Sequence, residues 1–439
     1  MTPLGGILAH GIGGRVDLPV PRWLFVYGAA TVVVVSFVAL AALWPEPRLE
    51  GRRPGRPLPD GLQRLLRSPL AERVVRGLSL AFFLLILAAA QVGDPVADLN
   101  PAPWIIYIWF WVGLAFLCAL FGNLWATLSP FDTIGRFLGL EEGRREYPRW
   151  LGRWPAALLL LGFVWMELVY PQGSDPRILG IAILVYTAIT IAGMWTFGRD
   201  TWNRNGESFA VYFELLGRLA PFGRDEEGRV IARPPLAGLT GVEPRPGLVA
   251  FLVVLIGSTS FDGFSRTSVW LEWLGGNLGG LRTFFATLGL VGMVLAVSGI
   301  YAVAMSAGAA LSGQRWHPLA VKFAHSLVPI ALAYAVAHYA SLLVLEGQIG
   351  LSNLSDPFAV GWNLIGTASW IPNFQLISPT AIWYVQVAAI VAGHVGGVVL
   401  AHDRAVASFP TKRALRTQYA LLAVMVAFTA GGLLILSGG

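Results

Sequence analysis

The sequence predicts an all-α fold, a polytopic transmembrane bundle of about ten spans, and three observations carry that prediction. Of the 439 residues, 55% are hydrophobic and 13% are charged, about half the charge of an ordinary soluble domain. The apolar residues fall in unbroken blocks of about 17–27, the length a helix needs to cross a ~30 Å hydrocarbon core. The loops between the blocks are by turns rich and poor in arginine, as membrane topology requires. Continuous rather than alternating apolar blocks argue against a β-barrel.

Taken in order, the spans read Trp23–Trp44, Val75–Val92, Trp104–Phe121, Trp154–Tyr170 and Ile178–Trp195, then Gly247–Phe261, Leu281–Met305, Leu319–Leu345, Ala381–Ala401 and Tyr419–Ser437. Several are edged by Trp or Tyr, as interfacial belts are, and the abundance of Trp and Phe is read as belt and lipid-facing surface. Loops Leu49–Val74, Gly122–Arg153 and 198–246 are arginine-rich, whereas Gly93–Pro103 and Glu346–Pro379 contain no Lys or Arg. The alternation places both termini outside and the basic loops inside the cell membrane. The whole of 1–439 is one transmembrane domain. Within 198–246 the segment Gly206–Leu219 is amphipathic and is expected to lie on the inner surface. The external loop 346–379 carries Trp362, Trp370 and Phe374 and is expected to fold over the outer mouth.

The net charge of +6 is absorbed by these loops and gives no reason to invoke nucleic acid. The partners it leaves are the lipid bilayer, a small-molecule or ion substrate, and other subunits of a membrane complex. A single cysteine, Cys118, forms no intrachain disulfide. The first residues lack the ordered regions of a signal peptide, so none is expected.

Polar groups inside a hydrocarbon slab are costly and mark function by default. Three of the six histidines, His317, His325 and His338, lie in or beside the eighth span, and His394 and His402 lie on the ninth. At 1.5 Å per residue His325 and His394 sit at one depth, about 9–10 Å above the inner ends of their helices, and His338 stands roughly 20 Å above His325. Ala389, Gly393, Gly397 and Ala401 form a small-residue stripe that lets a neighbouring helix approach the ninth span. Pro329 removes the backbone bond to the carbonyl of His325, so a kink is expected there. Nearer the outside lie Glu167, Asp262, Arg266 and His338, with His10 in the N-terminal segment. Carboxylate plus histidine is a ligand set for zinc-like divalent metals and equally a proton relay. The plain alternative is that His325 and His394 are hydrogen-bonded between helices, and that His317 and His402 meet headgroups or loops.

Six stretches occur together: HGIGGRVDLPVP at His10–Pro21, NPAPWIIYIWFWVGL at Asn100–Leu114, GNLWATLSP at Gly122–Pro130, SFDGFSRT at Ser260–Thr267, HSLVPIALAYAVAHYASLL at His325–Leu343 and WYVQVAAIVAGHVGGVVLAHDRA at Trp383–Ala405. In these the chain resembles a family of actinobacterial multi-pass membrane proteins labelled fenitrothion hydrolase. The resemblance implies hydrolysis of an organophosphate ester. For that chemistry His338, His325, His394 and His10 are the candidate metal ligands, Asp262 and Glu167 the ligands or base, and Arg266 the group that meets developing negative charge. Two other readings use the same residues. In a proton- or metal-coupled transporter they form an outer and an inner polar layer. In a structural subunit they are isolated interhelical contacts.

Overall fold

A computed structural model describes residues 22–50, 55–225, 227–275 and 279–438. Ten principal helices organise it, and each overlaps one of the ten expected spans. They are α1 (Arg22–Leu43), α2 (Pro69–Val92), α3 (Pro101–Phe121), α4 (Trp154–Leu168), α5 (Pro176–Phe197), α6 (Leu248–Phe264), α7 (Gly280–Ser312), α8 (Trp316–Ser355), α9 (Pro379–Ser408) and α10 (Thr411–Gly438). Eight are long and apolar enough to cross a bilayer. The count becomes nine if α6 is joined to Ser268–Leu274, from which it is bent by 79°. With 15 residues, α4 is only about 22 Å long, so by length it falls short of a full crossing.

Local chemistry explains where several helices start. Ser68, Asn100, Asp175 and Ser378 each place a side-chain oxygen on a backbone N–H of the first turn, and each is followed by proline. The cap satisfies a donor that has no intrahelical acceptor, and proline at the next position has no N–H to satisfy. Within α3, Ile105–Leu114 is wound as a π-helix. Within α8 a 3-10 turn at Ala324–Ser326 separates Trp316–Phe323 from Leu327–Leu345. The break lies one turn before Pro329, whose missing N–H prevents a continuous ladder.

Helices α2–α5 pack as one group, and α6–α10 pack together with α1 against α9 and α10. The groups meet where α4 packs on α6 and α3 on α8. At the α8–α9 contact a Cβ on Gly393 would collide with the Ala333 side chain and lie 2.7 Å from the Pro329 carbonyl oxygen. One on Gly397 would lie 2.9 Å from the Ser326 oxygen. The small-residue stripe is therefore in backbone contact with α8.

Two expectations are corrected. The Ser208–Gly217 helix does not lie on a surface. Phe209, Val211, Tyr212, Phe213, Leu215 and Leu216 are all buried, because rings from α3 and α4 surround it. Trp111 stacks on Tyr212 at 4.6 Å, and Phe209 meets Phe110 at 4.7 Å and Phe163 at 5.1 Å. Many aromatics counted as lipid-facing are thus interior. Its first turn is capped by the buried Glu207, which accepts from Tyr186 Oη, from Trp125 Nε1 at 3.3 Å and from the Phe209 amide at 3.0 Å. The external loop also differs. It begins as helix, with Trp109 Nε1 donating to the Gly347 carbonyl at 2.9 Å, but Trp362, Trp370 and Phe374 remain exposed.

At the arginine-rich end, Asp132 accepts from Arg76 at 2.8 Å, Arg136 at 3.0 Å and Arg199 at 2.6 Å. Burial pushes its carboxyl up, but the bonds from Arg136 and Arg199 outweigh burial and hold it below the usual carboxylate range. Asp403 accepts from Trp44 Nε1 at 2.9 Å and from the Arg48 and Glu50 amides at 2.6 and 2.7 Å. A small three-stranded sheet, Arg56–Pro57, Val230–Ala232 and Phe222–Arg224, ties two of the basic loops together.

Replacing Gly393 by valine should destabilise the α8–α9 contact by about 1–3 kcal/mol. Gly162→Ala, where an added Cβ meets nothing within 4 Å, should not. Thermal unfolding of detergent-solubilised protein followed by size-exclusion chromatography measures the difference.

Candidate functional site

Asp262 stands in the last turn of α6 and is 2% exposed. Its Oδ1 accepts from Arg266 Nε at 3.1 Å and Nη2 at 2.9 Å, one turn further along the chain. Its Oδ2 accepts from Nε2 of His338, on α8, at 2.8 Å. The Tyr339 hydroxyl reaches the same carboxylate, and the Tyr339 ring lies edge-on to His338 with centroids 4.6 Å apart. A carboxylate can only accept, so this contact puts a proton on Nε2 and leaves Nδ1 as the basic nitrogen. Asp262 thereby fixes the ring and its tautomer, as second-shell carboxylates commonly do for functional imidazoles.

His338 also lines a cavity of about 280 Å³ between α6, α7, α8, α9 and α10. Its wall is apolar apart from His338, Tyr334, Thr259 and Ser260. The Thr259 and Ser260 hydroxyls bond back to the Leu255 and Ile256 carbonyls. The Tyr334 hydroxyl donates to the Phe428 carbonyl at 3.3 Å, and its ring lies 6.1 Å from that of His394.

The structure therefore brings together Asp262, Arg266 and His338. Glu167, on α4, is close enough to feel the charges of Asp262 and Arg266, and its Oε2 is buried without a hydrogen-bond partner among the described residues. His325 and His394 belong to a different place, the α8–α9 seam. Each donates Nδ1–H to a carbonyl of its own helix, His325 to Lys322 at 3.2 Å and His394 to Ile390 at 2.9 Å. Each keeps Nε2 as a buried acceptor with no protein partner among the described residues. His10 lies outside the described residues. His402 bonds Gln418 and the Trp44 carbonyl, which makes it part of the Asp403 anchor rather than a headgroup contact.

These residues do not fit a zinc-like centre. Among the described residues no three His, Cys, Asp or Glu side chains converge closely enough to hold a metal ion. Both oxygens of Asp262 are taken by His338 and Arg266, and the 2.8 Å bond occupies His338 Nε2.

Helical spacing puts Tyr334 on the His338 face, and both line the cavity. Tyr339, the neighbour of His338 in the chain, was missed; an aromatic residue in an apolar span gave no sign of a polar role. No protein-family model, curated protein or solved structure matches the chain.

Removing the shared acceptor should cost more than removing either donor. Asp262→Ala leaves an imidazole and a guanidinium without their acceptor, and a loss of about 2–3 kcal/mol is expected. His338→Ala and Arg266→Ala should each lose less, by the same thermal assay.

Proposed function

We propose that this membrane-embedded helical protein is a proton-coupled carrier of the cytoplasmic membrane, with the Asp262–His338 pair as its proton-exchanging group. One observation carries the reading: a carboxylate-oriented imidazole lines a 280 Å³ apolar cavity. The cavity suits an apolar or amphipathic small molecule, since pockets of this kind combine apolar walls with a few placed polar groups. His338 forms part of the cavity wall while its other side is held by Asp262, so whatever occupies the cavity meets the imidazole directly. Glu167 supplies a further carboxylate on the outer side. Tyr334 lies 6.1 Å from His394 in ring centroids, and His394 shares the α8–α9 seam with His325, where Nε2 of each histidine has no protein partner among the described residues.

The helices that form the site are discontinuous. The α6 helix ends at a 79° bend just after Asp262, and α8 is broken at Ala324–Ser326. Broken helices at a central site are a recurring device of secondary transporters, where they let one half of the bundle move against the other.

The resemblance to actinobacterial proteins labelled fenitrothion hydrolase favours a second reading, an ester hydrolase without a bound metal. Asp262 orienting His338 is also the arrangement of a general base, and Arg266 would meet negative charge on phosphoryl oxygen.

In pyranine-loaded proteoliposomes under an imposed potassium diffusion potential, wild-type protein should acidify the lumen faster than protein-free vesicles. Asp262→Asn and His338→Gln should each lower that flux at least tenfold, the scale of a lost positioned proton carrier. Wild-type flux from His338→Gln at equal reconstitution would overturn the carrier reading. Turnover of an aryl phosphate triester that disappears in His338→Gln, with no proton flux, would decide for the hydrolase.

A further inference from the structure

A second pair of cavities lies in the other helix group, away from Asp262. One is an apolar cleft of about 330 Å³ lined by α2, α3, α4 and α5, with Phe82, Leu159, Phe163 and Ile183 in its walls. The other is a polar pocket of about 300 Å³ beside the arginine-rich loops, lined by Asn123, Arg136, Arg199, Asn203 and Arg204 among others. They share Trp125 as a wall, and neighbouring residues turn to one and then the other: Phe131 to the cleft and Asp132 to the pocket, Phe209 to the cleft and Ala210 to the pocket. An apolar slot thus runs up to a charged chamber across a single indole.

The chamber wall holds three arginines and three carboxylates, and Arg76, Arg153 and Arg218 reach those carboxylates from outside the wall. Its carboxylates are already shared: Asp132 by Arg76, Arg136 and Arg199, Asp200 by Arg199, and Glu214 by Arg153 and Arg218. Arg204 forms no ion pair or hydrogen bond with the described residues, and it is exposed at the pocket wall. Arg199 is 6% exposed, yet its Nε is buried without an acceptor. A buried guanidinium N–H left unpaired is costly, and Arg199 is also part of the pocket wall.

We propose that the two cavities form one binding site for an anionic glycerophospholipid, with an acyl chain in the cleft and the phosphate among Arg136, Arg199 and Arg204. Neither half alone calls for a lipid. A soluble anion has no use for the cleft, and a neutral lipid has no use for Arg204, the one arginine of the wall without a carboxylate among the described residues. Basic pockets between transmembrane helices at the arginine-rich side are where anionic headgroups bind. The cleft wall at Gly162 is open, since an added Cβ there meets nothing within 4 Å, so a larger side chain can fill the slot without disturbing the fold.

The test is native mass spectrometry of the delipidated full-length chain in detergent, titrated with phosphatidylglycerol or with phosphatidylcholine of the same acyl chains. Phosphatidylglycerol should be retained several-fold better. Arg204→Gln should weaken phosphatidylglycerol about fivefold, the contribution of one arginine near an anionic headgroup, and leave phosphatidylcholine unchanged. Gly162→Leu should weaken both lipids. Equal retention of the two lipids by the wild type would overturn the proposal. So would displacement of phosphatidylglycerol by millimolar inorganic phosphate together with unchanged binding in Gly162→Leu, which would mark a soluble-anion pocket instead.

Discussion

The bundle depends on the backbone contact between α8 and α9. Lipid tails are as apolar as leucine, so nothing like the hydrophobic effect draws helices together within a bilayer, and close packing has to do it. Glycine at 393 and 397 lets α9 come onto the Pro329 and Ser326 carbonyls. That approach turns Tyr334 toward His394 and sets one wall of the cavity beside His338. It also carries the far end of α9 into position, where Asp403 gathers the amides of residues 48–50.

A second regularity concerns buried carboxylates. Asp132, Glu207 and Asp403 each collect donors from separate parts of the chain, which is how a charge is kept out of water at tolerable cost. The donors at Asp403 are an indole and backbone amides, and those at Asp132 are arginines and the Asn203 side-chain amide. Asp262 differs. It too is saturated, but one of its donors is an imidazole that borders a cavity.

Helix positions were legible because a bilayer imposes one length and one polarity rule on every span. The join of His338 to Asp262 was partly legible, since counting residues placed both toward the same end of their helices. What counting does not reveal is whether a polar atom meets water or protein. Gly206–Leu219 shows a polar and an apolar side, which reads equally as a surface helix or as one whose caps and rings are satisfied internally; Glu207 and the rings of Trp111 and Phe163 decide it. Nothing in the sequence singles out Asp403, between His402 and Arg404, because its donors lie some 350 positions away. Of the four histidines named as candidate metal ligands, His338 is on the Asp262 carboxylate, His325 and His394 are in the α8–α9 seam, and His10 is beyond the described residues. Helical rise alone placed His325 and His394 together but says nothing of which way their rings turn.

The long reach of Asp403 bears on how the protein is assembled. Helix α1 is made before α9 and α10, the helices it rests on. Until they follow, it lies in the bilayer without them. Its composition is suited to that: between Trp23 and Leu43 there is no charged residue and only Tyr27, Thr31 and Ser36 carry a hydroxyl, while Val32, Val34, Val35 and Val38 still face outward in the finished bundle. The contact that fixes the segment after α1 therefore forms only once the ninth helix brings Asp403 to residues 44–50.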